Sequence, residues 1–158
     1  MSDLTHVDSA GEARMVDVSA KPATARIARA SGRIEMNRAA FDAIRENQVA
    51  KGDVLSVARI AGIMAAKRTA ELVPLCHQIP LSDVEIAISA VSDLPGYEVE
   101  ATARTTAATG VEMEAIVAVS LSLITIYDMA KALDREMKIG QVVLLEKRGG
   151  RSGDWKRL

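Results

Sequence analysis

Val84-Glu85-Ile86-Ala87-Ile88-Ser89-Ala90 and Tyr97-Glu98-Val99-Glu100-Ala101-Thr102-Ala103 flank the turn sequence Asp93-Leu94-Pro95-Gly96. Val84, Ile86, Ile88 and Ala90 fall on one side of the first run, and Tyr97, Val99, Ala101 and Ala103 on one side of the second. An apolar period of two is that of a strand with one buried face. Pro-Gly between two such runs closes them into a hairpin. Upstream, Val73 to Pro80 is bracketed by prolines and cannot continue a helix. Before it, Asp53 is placed to cap a helix over residues 54–72, with Leu55, Ala58, Gly62, Ala65 and Ala66 at helical spacing. Asn37 caps a shorter helix over residues 38–47, with Ala40, Phe41 and Ile44 inward. Residues 24–36 read as a first strand, with Ala28, Ala30, Ile34 and Met36 opposite Arg29, Arg33 and Glu35. Downstream of the hairpin, residues 111–137 read as a long helix and 141–147 as a last strand.

Strand, helix pair, hairpin, helix, strand is the split βαβ order. The expected fold is α+β: a ferredoxin-like βαββαβ sandwich whose first crossover is divided into two helices. It predicts a four-stranded antiparallel sheet with helices on one face and the other face open. Residues 1–22 are polar and aperiodic and read as a flexible N-terminal arm. Residues 23–158 form one catalytic domain ending in the Gly-rich basic tail Arg148-Gly149-Gly150-Arg151-Ser152-Gly153.

The chain has 158 residues, enough to bury a core unaided. Its formal net charge of −1 lacks the basic excess of a nucleic-acid binder. Aromatics make up 3%, too few for base-stacking platforms. The longest uncharged run, residues 115–127, is shorter than the roughly 20 residues a bilayer span requires. The N-terminus has no apolar signal core. One cysteine excludes an internal disulfide and suits a reducing, cytoplasmic setting. Hydrophobic residues at 49% in so small a domain point to surface buried in an oligomer.

Three constellations carry chemistry. Asp128 and Lys131 stand three apart on the long helix, directly after its uncharged run. They form either a surface ion pair or a coupled acid/base pair. Glu112-Met113-Glu114 opens the same helix. Its carboxylates either complement the macrodipole or accept hydrogen bonds from ring N–H groups, with Met113 as apolar contact. Glu114 and Asp128 are then about 21 Å apart along one axis. The two clusters serve different sites, or one pocket is assembled from two chains. In Leu75-Cys76-His77, His77 reads as an acid/base or substrate contact and Cys76 as a small hydrophobe. With two His and one Cys in the chain, no all-Cys/His zinc site can form within it, and no metal site is expected. Lys51 beside Gly52 is the most suggestive of the basic residues near element ends, which include Lys67 and Lys147.

Several strings together resemble the cyclic pyranopterin monophosphate synthase family, the molybdenum cofactor biosynthesis protein C family. They are Lys51-Gly52-Asp53, Ala65-Ala66-Lys67-Arg68-Thr69, Pro74-Leu75-Cys76-His77, Thr109-Gly110-Val111-Glu112-Met113-Glu114-Ala115, Leu123 to Lys131 and the Gly-rich tail. Leu4-Thr5-His6-Val7 and Glu12-Ala13-Arg14-Met15-Val16-Asp17-Val18 resemble it as well. Gln78 stands where the family usually has Pro, and Arg151 where Lys is common.

The resemblance implies a hexamer, a trimer of dimers, with active sites between subunits. It implies conversion of 3′,8-cyclo-7,8-dihydroguanosine 5′-triphosphate to cyclic pyranopterin monophosphate with release of pyrophosphate. It makes Asp128 and Lys131 the catalytic pair. Lys51 and His77 would shuttle protons or meet the leaving group, and Lys51 and Lys147 would share a pocket. Leu75, Cys76, His77, Met113 and Glu114 would contact substrate. Glu112 and Glu114 would hold the ring N–H groups, and Lys67, Lys147 and Arg26 would neutralise the triphosphate. No redox cofactor is required, Mg2+ accompanying the triphosphate aside. The alternative is a nucleotide-binding regulatory module of the same fold with the Asp128–Lys131 pair idle.

Overall fold

The computed structural model describes residues 11–91 and 94–158. The expected turn residue Asp93 and the Leu4-Thr5-His6-Val7 string lie outside them. The described elements are β1 (Thr24–Glu35), α1 (Arg38–Arg45), α2 (Val54–Lys67), α3 (Thr69–Leu72), β2 (Leu81–Val91), β3 (Gly96–Ala107), α4 (Glu112–Ala130), β4 (Lys138–Arg148) and β5 (Trp155–Lys156). The sheet runs β2-β3-β1-β4-β5, every pairing antiparallel. The first four strands of that order are the ferredoxin-like sheet, with its crossover divided as expected.

Side chains enforce this register. Ile86 pairs with Ala101, Ile88 with Val99 and Ala90 with Tyr97, so the alternation of the two hairpin strands coincides on one face. Ala28, Ala30 and Ile34 of β1 join that face and are fully buried. The opposite face carries cross-strand ion pairs: Arg29 with Glu100 (2.8 Å) and Glu146 (3.2 Å), Arg33 with Glu98 (3.3 Å), and Arg104 with Asp83. Both expected caps form. Asn37 Oδ1 accepts from Ala40 N (2.8 Å), and Asp53 Oδ1 accepts from Ser56 N (3.0 Å).

Four expectations need correction. The sheet has a fifth strand, the two-residue β5, held where Arg157 N donates to Leu145 O (2.8 Å). The second crossover helix ends at Lys67, and Thr69–Leu72 forms a separate short turn, α3. Thr69 Oγ1 donates to Ala66 O (2.9 Å) at that break, taking a carbonyl the next turn would have used. The long helix stops at Ala130 rather than near Met137. There Leu133 N and Asp134 N both turn back onto Ala130 O, and Asp134 Oδ2 accepts from Asn37 N (2.7 Å) ahead of α1. The chain leaves the helix to tie down another helix start. The last strand is correspondingly longer at both ends, Lys138–Arg148.

α4 is the central helix. By length and composition alone it would pass for a membrane span, but over half of its most apolar stretch is buried in the protein. Ala115, Ala118, Val119, Leu123 and Ile126 are fully enclosed. α2 lies antiparallel against it, crossing where Gly62 meets Ser122. Ser122 Oγ donates to Ala58 O (3.0 Å) across the contact. A Cβ at Gly62 would run into Ser122 Oγ and Ile86 Cδ1 and lie 2.9 Å from Ala118 O. Gly62→Val should therefore destabilise the fold by about 3 kcal/mol or more through overpacking of a rigid contact. Urea denaturation checks this, and a variant as stable as the parent would show that the helices can move apart freely.

Candidate functional site

The two ends of α4 hold different chemistry. At its C-terminal end Lys51 Nζ donates to Asp128 Oδ2 (2.9 Å) and to the Asp128 carbonyl (2.9 Å), while Lys131 Nζ donates to Asp128 Oδ1 (2.8 Å). Lys51 arrives on the loop between α1 and α2. Gly52 there adopts φ +97, a left-handed conformation that favours glycine, and its N–H donates to Val49 O (2.9 Å). A helix C-terminus repels a carboxylate and attracts cations. The two lysines reverse that penalty and hold the Asp128 carboxyl down at about 2, Lys131 contributing most and Lys51 next. The same pairing raises the Lys131 ammonium. All three side chains are about half exposed, so the cluster is open to a ligand or to another chain.

The other end is a cleft of about 360 Å³ lined by Leu75, Cys76, His77, Thr109, Gly110, Glu112, Met113 and Glu114, with Val16, Val18 and Lys21 of the arm as a further wall. Glu114 is only 5% exposed, and no cation pairs with it among the described residues. Burial pushes its carboxyl up, and neighbouring Glu112 adds to the effect. The Cys76 thiol is raised by burial and then by Glu114. His77 Nε2 lies 2.6 Å from Val16 O. A carbonyl only accepts, so Nε2 carries the hydrogen and Nδ1 is the ring nitrogen left to meet a ligand.

A second cleft, about 390 Å³, adjoins the first and is lined by Lys21, Arg26, Lys147, Arg151, Ser152 and Glu112 among others. It sets four cations against one carboxylate. Arg26 also braces the backbone, since its Nε donates to Ala107 O (3.0 Å) and its Nη2 to Ala108 O (3.1 Å). The tail folds over it through left-handed glycines, and a Cβ at Gly150 would strike the guanidinium. Lys147 Nζ donates to Ser152 Oγ.

The sequence-predicted residues thus fall into two groups in one chain. His77, Leu75, Cys76, Glu112, Met113, Glu114, Arg26 and Lys147 share the joined clefts. Lys51, Asp128 and Lys131 share the far end of the helix. Lys51 and Lys147, expected in one pocket, are not brought together within the chain. Lys67 closes α2 at the Glu114 end of the helix pair but lines neither cleft. Sequence reasoning misses Lys21, which lies in an aperiodic arm where only Pro22 after it hints at a fixed backbone. Among the described residues no group of three or more His, Cys, Asp and Glu is placed to hold a metal ion.

The ion triad has a pH signature. Its folded-state carboxyl lies at about 2, against a usual 3.8. A depressed carboxylate stabilises the fold above its unfolded value, and that contribution fades as pH falls from about 4 to about 2. Carboxyl-carbon NMR should find Asp128 ionised throughout the range near neutrality and titrating near pH 2, and Lys51→Ala should shift that titration upward. An unchanged titration in Lys51→Ala would show that the Lys51 contact does not persist in solution.

The MoaC family model matches residues 15–150. The chain is 58% identical over 156 residues to the cyclic pyranopterin monophosphate synthase of Novosphingobium aromaticivorans, covering 99% of this chain and 98% of that one. It is 54% identical over 157 residues to that of Thermomicrobium roseum, covering 99% and 95%. It is 52% identical over 154 residues to that of a Nostoc species, covering 98% and 92%. With its two site clusters in place and identity of this order running end to end, the chain belongs to the MoaC family, whose enzymes act in molybdenum cofactor biosynthesis.

Proposed function

We propose that the chain converts 3′,8-cyclo-7,8-dihydroguanosine 5′-triphosphate to cyclic pyranopterin monophosphate and pyrophosphate, in active sites shared between two copies. One observation carries this reading: a carboxylate-lined cleft opens directly into a trench of four cations. Ring N–H groups donate to Glu112 and Glu114, beside the apolar contact of Met113. The triphosphate lies against Arg26, Lys147 and Arg151, where N–H···O⁻ bonds are the strong, charge-assisted kind. No net redox change occurs, so no resident cofactor is assigned, and Mg2+ arrives as the companion of the triphosphate. A cytoplasmic setting suits the free thiol of Cys76.

The acid/base groups must come from elsewhere. Asp128, with Lys51 and Lys131 gathered on it, stands about 21 Å along α4 from Glu114, beyond the reach of one bound nucleotide. Because α2 and α4 are antiparallel, a two-fold axis across their middle would lay the Asp128 end of one copy over the Glu114 end of its mate. Two equivalent sites result. The outer face of the helix pair is suited to that contact: Val57, Ile60 and Met64 of α2 and Ile124 of α4 are exposed, at i, i+3 and i+7 spacing on α2. Three such dimers would make the hexamer. With its carboxyl held at about 2, Asp128 is a feeble base until substrate loosens the triad. In the resting triad it positions two ammonium groups, and Lys131 or Lys51 supplies protons to the leaving oxygen or to the rearranging ring.

The purified chain should release pyrophosphate from the cyclic dihydro triphosphate, and no release would sink the reading. Asp128→Ala and Lys147→Ala should each abolish turnover while leaving the oligomer intact. Co-expressed, they should recover roughly one quarter of parental activity, because mixed pairs contain one site with both halves unaltered. A mixture as inactive as its parents would place the whole site within one chain.

A further inference from the structure

We infer that Lys21, carried on the N-terminal arm, binds the phosphate of the nucleotide nearest the sugar, the one whose bond to the departing pyrophosphate breaks. The inference rests on the substrate reading above and assigns a residue within it.

Three observations support it. The two adjoining clefts share four lining residues, Lys21, Thr109, Gly110 and Glu112, and Lys21 is the cation among them. It stands at the seam where the ring-binding cleft passes into the phosphate trench. A nucleotide spanning both must place its first phosphate there, because that group joins ring and sugar to the outer phosphates. Second, the Lys21 ammonium has no hydrogen bond or ion pair among the described residues. Arg26 is engaged by two carbonyls and Lys147 by Ser152. Asp17, four residues before Lys21 in sequence, is occupied by the N–H (2.9 Å) and hydroxyl (2.6 Å) of Ser19. Third, the arm is fastened where it carries this lysine. His77 Nε2 donates to Val16 O (2.6 Å), Lys21 N donates to Val18 O (3.0 Å), and Pro22 fixes the next φ. A cation on a fastened segment loses less freedom on binding than one on a loose tail.

The step it serves balances within the substrate. A substrate hydroxyl oxygen attacks the first phosphorus and forms the new P–O bond as its proton passes to a base. The bond from that phosphorus to the bridging oxygen breaks, and pyrophosphate leaves with the electron pair. Lys21 offsets the charge that gathers on the non-bridging oxygens.

Calorimetric titration of the full-length chain with guanosine, guanosine monophosphate and guanosine triphosphate tests the assignment. Lys21→Ala should weaken the monophosphate and the triphosphate by the same factor, about ten-fold or more, and leave guanosine unchanged. Lys21→Arg should restore most of the loss. Equal loss for guanosine would show that Lys21 only packs the arm and would overturn the proposal. Unaltered binding of all three in Lys21→Ala, with the parent still preferring the phosphorylated ligands, would overturn the Lys21 assignment alone. A parent that binds the triphosphate no better than guanosine would remove the substrate reading, and this proposal with it.

Discussion

The close contact of α2 with α4 governs everything else in this protein. Gly62, which has no side chain, and the small Ser122 let the two helices approach closely, and the Ser122 hydroxyl bonds a carbonyl of the other helix. That contact buries the middle of α4 and aligns α2 against it in the opposite sense. Lys51, just ahead of α2, is thereby delivered to Asp128 near the end of α4. The proline-bracketed Leu75-Cys76-His77 segment, just after α2 and α3, is delivered to Glu114 near its beginning. One packing choice therefore builds both clusters and keeps them about 21 Å apart.

Much of this is legible in the residues, and the losses have physical causes. The hairpin register, the buried faces of β1 and α1, and both helix caps follow from local spacing and side-chain hydrogen bonds, which a single sequence carries. The end of α4 does not, because nothing at residues 131–137 forbids a helix. The helix stops because Asp134 bonds the backbone of Asn37, a partner 97 positions away. β5 is unreadable for a similar reason: two residues make a strand only because a neighbouring edge is free to pair. The site residues split the same way. Asp128 with Lys131, and Glu112 with Glu114, are visible as neighbours on one helix. The Lys51 contact with Asp128 needs the fold, and Lys21 has no periodicity to mark it.

Electrostatics show how little a net charge of −1 conveys. On the open sheet face the charges pair across strands; the exposed pairs Arg33–Glu98 and Arg104–Asp83 contribute little, whereas Glu146 is buried and held between Arg29 and Arg148. Around α4 they are sorted by kind. Glu112 and Glu114 lie at the helix N-terminus, where the macrodipole favours anions, and this eases the burial of Glu114 without a cation. Lys51 and Lys131 lie at the C-terminus, where it favours cations. The basic trench formed by the arm, β1 and the tail adjoins the acidic end.

This sorting constrains how a site can form. A carboxylate-lined cleft with a cationic trench can hold an anionic heterocycle, and His77, with Nε2 donating to the arm, keeps Nδ1 turned to it, while Glu114 is buried. In the proposed reaction the proton-handling groups are those gathered at the other end of the helix, where the ammonium groups of Lys51 and Lys131 both pair with the Asp128 carboxylate. Within one chain the two halves are kept apart by the same dipole that stabilises each of them. Moving Asp128 and Lys131 towards the cleft along α4 would set lysines at a helix N-terminus and carboxylates against Glu114, both unfavourable. The proposed two-fold pairing of two copies would bring the halves together at no such cost, and the exposed apolar residues on α2 lie on the face where that pairing would occur.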